Sequence, residues 1–154
     1  MDSRFLNGVL SGVLSAAIQA SLLAGPHGSR ANWVIAAVSA YAFVLPGFLG
    51  YSSVALIASA SLYAFSGFFV PSYAIFIALI ALYGVRRFFP WQPLLGYAFA
   101  IFIATLVPYA AVDPRFIVLH PYLAAAEAAS TAVLGLALHA LLGRFYDAAR
   151  RYPS

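Results

Sequence analysis

The chain is a succession of apolar blocks, each about as long as a membrane is thick, separated by brief polar or proline-glycine interruptions. A transmembrane helix needs ~20 predominantly apolar residues to cross a ~30 Å hydrocarbon core. Blocks of that kind fall at about 5–24, 31–46, 51–70, 72–88, 94–112 and 120–143, and they predict six helices. The punctuation differs from one connection to the next. Gly25-Pro26-His27-Gly28-Ser29-Arg30 reads as a polar turn, Pro46-Gly47-Phe48-Leu49-Gly50 as a tight apolar one, and Pro71 as a one-residue break. Arg86-Arg87 with Pro90-Trp91-Gln92-Pro93 divides the fourth block from the fifth, and Val112-Asp113-Pro114-Arg115 the fifth from the sixth.

Composition strengthens this reading. Of 154 residues, 64% are hydrophobic and 8% charged, against about 45–50% and about 25% in soluble domains. The expected fold class is an all-α integral membrane protein, one compact polytopic domain over 1–154 with about six spans. The first block resembles a signal peptide in its hydrophobicity, but lacks a small-residue cleavage site and is followed by further apolar segments, so it is expected to stay as a helix.

The charged residues predict orientation. All eight basic residues are Arg, and cytoplasmic connections retain positive charge during insertion. With six spans, the tails and even connections carry Arg4, Arg86, Arg87, Arg144, Arg150 and Arg151, and the odd connections carry Arg30 and Arg115. This distribution places both termini in the cytoplasm. Five spans, with 51–88 as one helix or 31–46 only dipping into the bilayer, would destroy the pattern. Nor does the net charge of +4 suggest nucleic acid, because no Arg run is interleaved with aromatics on a soluble surface.

Helix-contact signals stand out more than chemical ones. Gly8, Gly12, Ala16 and Ala20 form a small-residue stripe, suited to close packing within the bundle or against a partner. Ala124, Ala128 and Ala132 form a second stripe. Trp33 and Trp91 fit as headgroup-level anchors, serines along 52–66 as side chains bonded back to their own helix, and Pro108 as a kink between Ala104 and Pro108.

Glu127 is the one acidic residue well inside a predicted span, where an unpaired carboxylate is costly. His120 lies two turns earlier on nearly the same face of a continuous helix, with Ser130 and Thr131 within a turn. His120, Glu127 and Thr131 are therefore the candidate buried polar site. The sequence has no cysteine, no metal-spaced His or carboxylate set, no phosphate loop and no nucleophile elbow. A non-enzyme without a cofactor is expected.

Taken in order, several segments resemble the rod-shape-determining membrane protein family MreD. They are Gln19-Ala20-Ser21-Leu22-Leu23, Asn32-Trp33-Val34, Leu45-Pro46 with Gly50, Ser66-Gly67, the Arg-containing end of Tyr83 to Phe89, Pro90-Trp91-Gln92 and the Arg-bearing tail. The chain departs from the family pattern at Ala31, where proline is common, and at Leu62-Tyr63, where an Asp is common. The resemblance implies a six-helix fold similar to substrate subunits of energy-coupling-factor transporters, in the bacterial cytoplasmic membrane. It also implies a non-catalytic scaffold that binds MreC and other proteins of the cell-wall elongation complex, with the Gly8-to-Ala20 stripe or the Asn32-Trp33 region as contact surfaces. A small-molecule-binding substrate subunit, with Ala16 and Ala20 as its docking pair, is the competing expectation, and a homodimer stays open.

Overall fold

A computed structural model describes residues 3–23, 31–42, 44–45, 47–85 and 93–151. The expected turn at 25–30, the Arg86-Arg87 helix end and Pro90-Trp91-Gln92 lie outside the described residues. Seven helices run through the rest: α1 (Ser3–Leu23), α2 (Trp33–Ala40), α3 (Phe48–Ser66), α4 (Phe69–Val85), α5 (Pro93–Val112), α6 (Pro114–Leu119) and α7 (Pro121–Arg151). The protein is an all-α bundle. Phe48–Ser66, Leu94–Val112 and Pro121–Arg144 are long and apolar enough to cross a membrane, and Phe69–Val85 is apolar but shorter.

The outer surface is that of a lipid-facing bundle rather than a water-soluble one. Leu6, Leu10 and Leu14 make an exposed stripe on α1, and Phe48, Leu49, Leu56 and Phe65 one on α3. Residues 6, 10 and 14 are offset by two from 8, 12 and 16, which at 100° per residue puts the two stripes on opposite faces of α1. The small face goes inward, where Gly8 meets Val54 and Gly12 meets Ala58 on α3.

The second apolar block departs most from expectation. Its helix has only 8 residues, about 12 Å at 1.5 Å per residue, followed by a turn at Tyr41-Ala42. Every residue from Val34 to Ala40 is buried. Helix α2 is the hub of the bundle, with α1, α3, α4, α5 and α7 all touching it. Those five pack in the order α1–α3–α4–α5–α7, a wall curved around α2. Among the described residues, α1 and α7 do not adjoin, so the wall has one open seam.

One proline position also differs from the sequence reading. The break between α3 and α4 falls at Gly67-Phe68, and Pro71 sits inside the first turn of α4, where the missing N–H is one that the helix could not have paired. Gly67 takes the left-handed conformation (φ 74°) that ends α3. Asp113 accepts a hydrogen bond from the Arg115 N–H and caps the extra short helix α6. Helix α5 runs through Pro108 without ending.

Buried tyrosines knit the core. The Tyr51 hydroxyl donates to the Leu79 carbonyl of α4 (3.2 Å), and its ring stacks on Tyr83 with centroids 4.8 Å apart. Three serines on α3 close onto their own helix as expected, Ser52 and Ser53 to Leu49 O and Ser66 to Leu62 O, which satisfies those hydroxyls without water. The buried Ser59 Oγ, expected to do the same, makes no hydrogen bond.

Candidate functional site

The site grows from the N-terminus of α2. A helix leaves its first N–H groups without intrahelical partners, and at α2 these lie within the bundle. Asn32 caps the helix, its Oδ1 accepting from the Ile35 N–H at 3.0 Å. The Trp33 N–H donates to Gln19 Oε1 of α1 at 2.8 Å. The Asn32 N–H donates to Thr131 Oγ1 of α7 at 2.8 Å, across 99 residues of sequence. Three helices are therefore tied at one point, and Gln19 and Thr131 are both buried there.

From this node a line of small and polar positions runs down α7 at four-residue spacing: Glu127, Thr131, Gly135 and His139. Twelve residues of helix cover about 18 Å. Glu127 is buried, and its carbonyl accepts from Thr131 Oγ1 at 2.8 Å. At Gly135 a Cβ would lie 2.7 Å from Ile101 Cδ1, 3.4 Å from Ser39 Oγ and 3.6 Å from Ala36 Cα, so the missing side chain lets α7 close on both α2 and α5. One turn on, the His139 ring meets Tyr97 of α5, centroids 5.3 Å apart. The Tyr97 hydroxyl donates to Ser39 Oγ (3.1 Å), and Ser39 Oγ donates to Ala36 O (3.0 Å).

The direction of the protons decides what this line can do. Ser39 and Thr131 each give their hydroxyl hydrogen to a backbone carbonyl and receive a hydrogen from Tyr97 or Asn32. Neither oxygen is set up as a nucleophile. The arrangement binds helices to one another. Among the described residues, no group of three His, Cys, Asp or Glu side chains could hold a metal ion.

The expected seam of His120, Glu127 and Thr131 is only partly assembled. Glu127 and Thr131 are together on α7, but α7 starts at Pro121, and His120 belongs to the end of α6. His120 is exposed, its ring 5.4 Å from Phe116, and Ser130 is exposed as well. A shared face for His120 and Glu127 requires a continuous helix through 120, and the chain breaks there between α6 and α7. Missing from the sequence reading were Ser39, Tyr97 and His139. The regular spacing of Glu127, Thr131, Gly135 and His139 was the available signal for the last of these.

The remaining candidate residues divide between interior and surface. Gly8, Gly12 and Ala16 are buried, with Gly8 and Gly12 covered by α3, and Ala20 is partly buried against the same core. Trp33 is half-buried and lines the open seam with Leu14, Ile18, Ala37, Leu138 and Leu142. Helix α2 forms the floor of this seam, α1 and α7 its sides. Ser11 Oγ and the Tyr41 hydroxyl, 3.0 Å apart, share a hydrogen bond at its base.

No family model, no curated protein and no solved structure matches the chain.

Proposed function

We propose that this chain is a non-catalytic scaffold of the MreD type in the bacterial cytoplasmic membrane, holding the single membrane helix of MreC and supporting side-wall peptidoglycan synthesis. The observation that carries this reading is the meeting of two segments on which the resemblance rests. Gln19, of the Gln-Ala-Ser-Leu-Leu segment, accepts the backbone N–H of Trp33, of the Asn-Trp-Val segment. A spatial pairing gives a physical reason for the two segments to occur together, and it lies beside the open seam.

In this reading the seam between α1 and α7 is where the partner helix lies. Small or short residues on its floor and flank, Ser11, Ser15 and Ala37, favour close backbone approach. Leu14, Leu138 and Leu142 supply apolar sides. The stripe from Gly8 to Ala16 serves α3 instead. On the same reading the chain crosses the bilayer six times with both termini cytoplasmic, the apolar block 31–46 counting as the second crossing although α2 itself covers only about 12 Å of it. The arginine distribution, six on one side against two on the other, supports that topology.

The test is co-purification from native membranes with and without a bulky residue in the seam. MreC should accompany the wild-type protein and be lost from Ala37→Leu and Leu138→Trp variants that keep the wild-type melting temperature. Retention of rod shape after gene deletion, or MreC binding unaffected by a filled seam, would overturn the reading.

A further inference from the structure

The hairpin joining α3 to α4 ends in an exposed tip of aromatic and apolar side chains without a single charge. Tyr63, Phe65, Phe68, Phe69, Val70 and Tyr73 are between 48% and 64% exposed there, and no Asp, Glu, Lys, Arg or His occurs anywhere from Ala31 to Val85. Turns between helices normally meet water and leave their loose backbone groups to it.

This turn looks after several of those groups itself. The Gly67 N–H donates to Tyr63 O at 2.7 Å. The Phe68 N–H donates to Ser66 Oγ at 3.3 Å, and Ser66 Oγ passes its own hydrogen to Leu62 O at 2.7 Å. The Phe68 carbonyl receives both the Ser72 hydroxyl (2.7 Å) and the Ser72 N–H (3.4 Å). Pro71 removes one further N–H from the first turn of α4. Two serines and a proline thus replace water at a turn whose outer surface is aromatic.

We infer that the α3–α4 tip is seated in the hydrocarbon edge of the bilayer, with lipid acyl chains as its occupant. Internal satisfaction of backbone groups is what a turn needs where no water can reach. The apolar tip is also continuous with the lipid-facing side of α3, which is itself long and apolar enough to span. A groove lined by Leu56, Tyr63, Phe69 and Phe76, with Ser59 and Ser72 as its small polar positions, leads from mid-helix to the tip without a charged residue. Tyr63 and Phe69 meet edge to face (5.8 Å) and Phe69 stacks on Tyr73 (6.1 Å), which fixes the rings along this path.

The absence of native cysteine makes the test direct. Phe68→Cys and, separately, Val70→Cys are spin-labelled in the full chain, reconstituted in phosphatidylcholine vesicles, and probed with oxygen and a water-soluble nickel chelate. Leu56→Cys supplies the mid-bilayer reference and Arg144→Cys the boundary reference. The tip labels should collide with oxygen in preference to nickel, on the Leu56 side of the Arg144 value. Preference for nickel would show a water-exposed tip, and low collision with both reagents would show a protein cover such as a second copy. Either result overturns the proposal. In the same vesicles, Ser66→Ala with Ser72→Ala should lower the melting temperature, because no water is present to replace the hydroxyls; an unchanged melting temperature would count against a hydrocarbon setting.

Discussion

Gly12 of α1 and Ala58 of α3 approach so closely that a methyl group placed on the glycine would stand 2.9 Å from the alanine Cβ. No flexible side-chain end is available to yield, since the opposing atom is attached directly to backbone. Gly12→Ala should therefore destabilise the folded state by about 1–3 kcal/mol through overpacking, as read by denaturant titration in detergent micelles. Ala58→Gly in the same chain should recover part of the loss. Additive losses would mean that the two helices are not held together here.

The node at the start of α2 predicts a different pattern. Thr131→Val keeps the shape of the side chain but removes the acceptor of the Asn32 N–H, and Gln19→Leu does the same to the Trp33 N–H. Each should cost about 1–3 kcal/mol as an abandoned buried donor. Because both act on one helix end, the double variant should lose less than the sum of the two, a coupling that a double-mutant cycle measures. Strict additivity would separate the two contacts and remove the node.

Farther along α7, Gly135→Ala pushes a methyl towards Ile101 Cδ1, the movable end of a side chain. Loss of stability should be partly relieved by Ile101→Val, which withdraws that carbon. Gly135→Leu should find no such relief, because the Ala36 backbone stands behind it. Equal rescue of both variants would contradict the close approach of α7 to α2.

Tyr97→Phe removes the hydrogen that Ser39 receives while leaving the ring against His139. Hydrogen bonds between membrane helices average about 0.6 kcal/mol and reach about 1.7, and the loss should fall in that range. The effect should disappear in a Ser39→Ala background. Persistence there would assign the hydroxyl another role.

The bundle itself was legible because apolar blocks of span length are hard to mistake, and the packing face of α1 was legible because Gly8, Gly12, Ala16 and Ala20 recur with a helical period. Helix α2 was not, for a physical reason: a helix buried on all sides has no polar face, so its composition resembles that of a lipid-exposed span and gives no sign of where the helix stops. The same uniformity set the block boundary at Pro71, although the Ser66-Gly67 segment quoted for the resemblance is where α3 ends. At the site, Asn32, Trp33, Glu127 and Thr131 were visible as polar or amphipathic residues in apolar surroundings. Gln19 was quoted only as part of a segment and not as the partner of Trp33, and Ser39 and Tyr97, which bond each other beside Gly135 and His139, were not singled out, since each looks ordinary on its own helix and acquires a role only through contacts distant in sequence. His120 misled because a wheel drawn through Pro121 treats two helices as one.

The dependence of α2 on Thr131 bears on how the protein is made. When α2 leaves the ribosome, the partner that will accept the Asn32 N–H has yet to be synthesised, and remains so for 99 residues. A nascent chain stopped before α7 would have the Asn32 side-chain cap and Gln19 in place and would lack only the acceptor of the Asn32 N–H. The contact of Asn32 with α7 can form only after the last helix is made, whereas the close packing of α1 on α3 can form before it. Chains truncated ahead of Thr131 should accordingly be cleared by membrane proteases, although most of their hydrophobic mass is already in place.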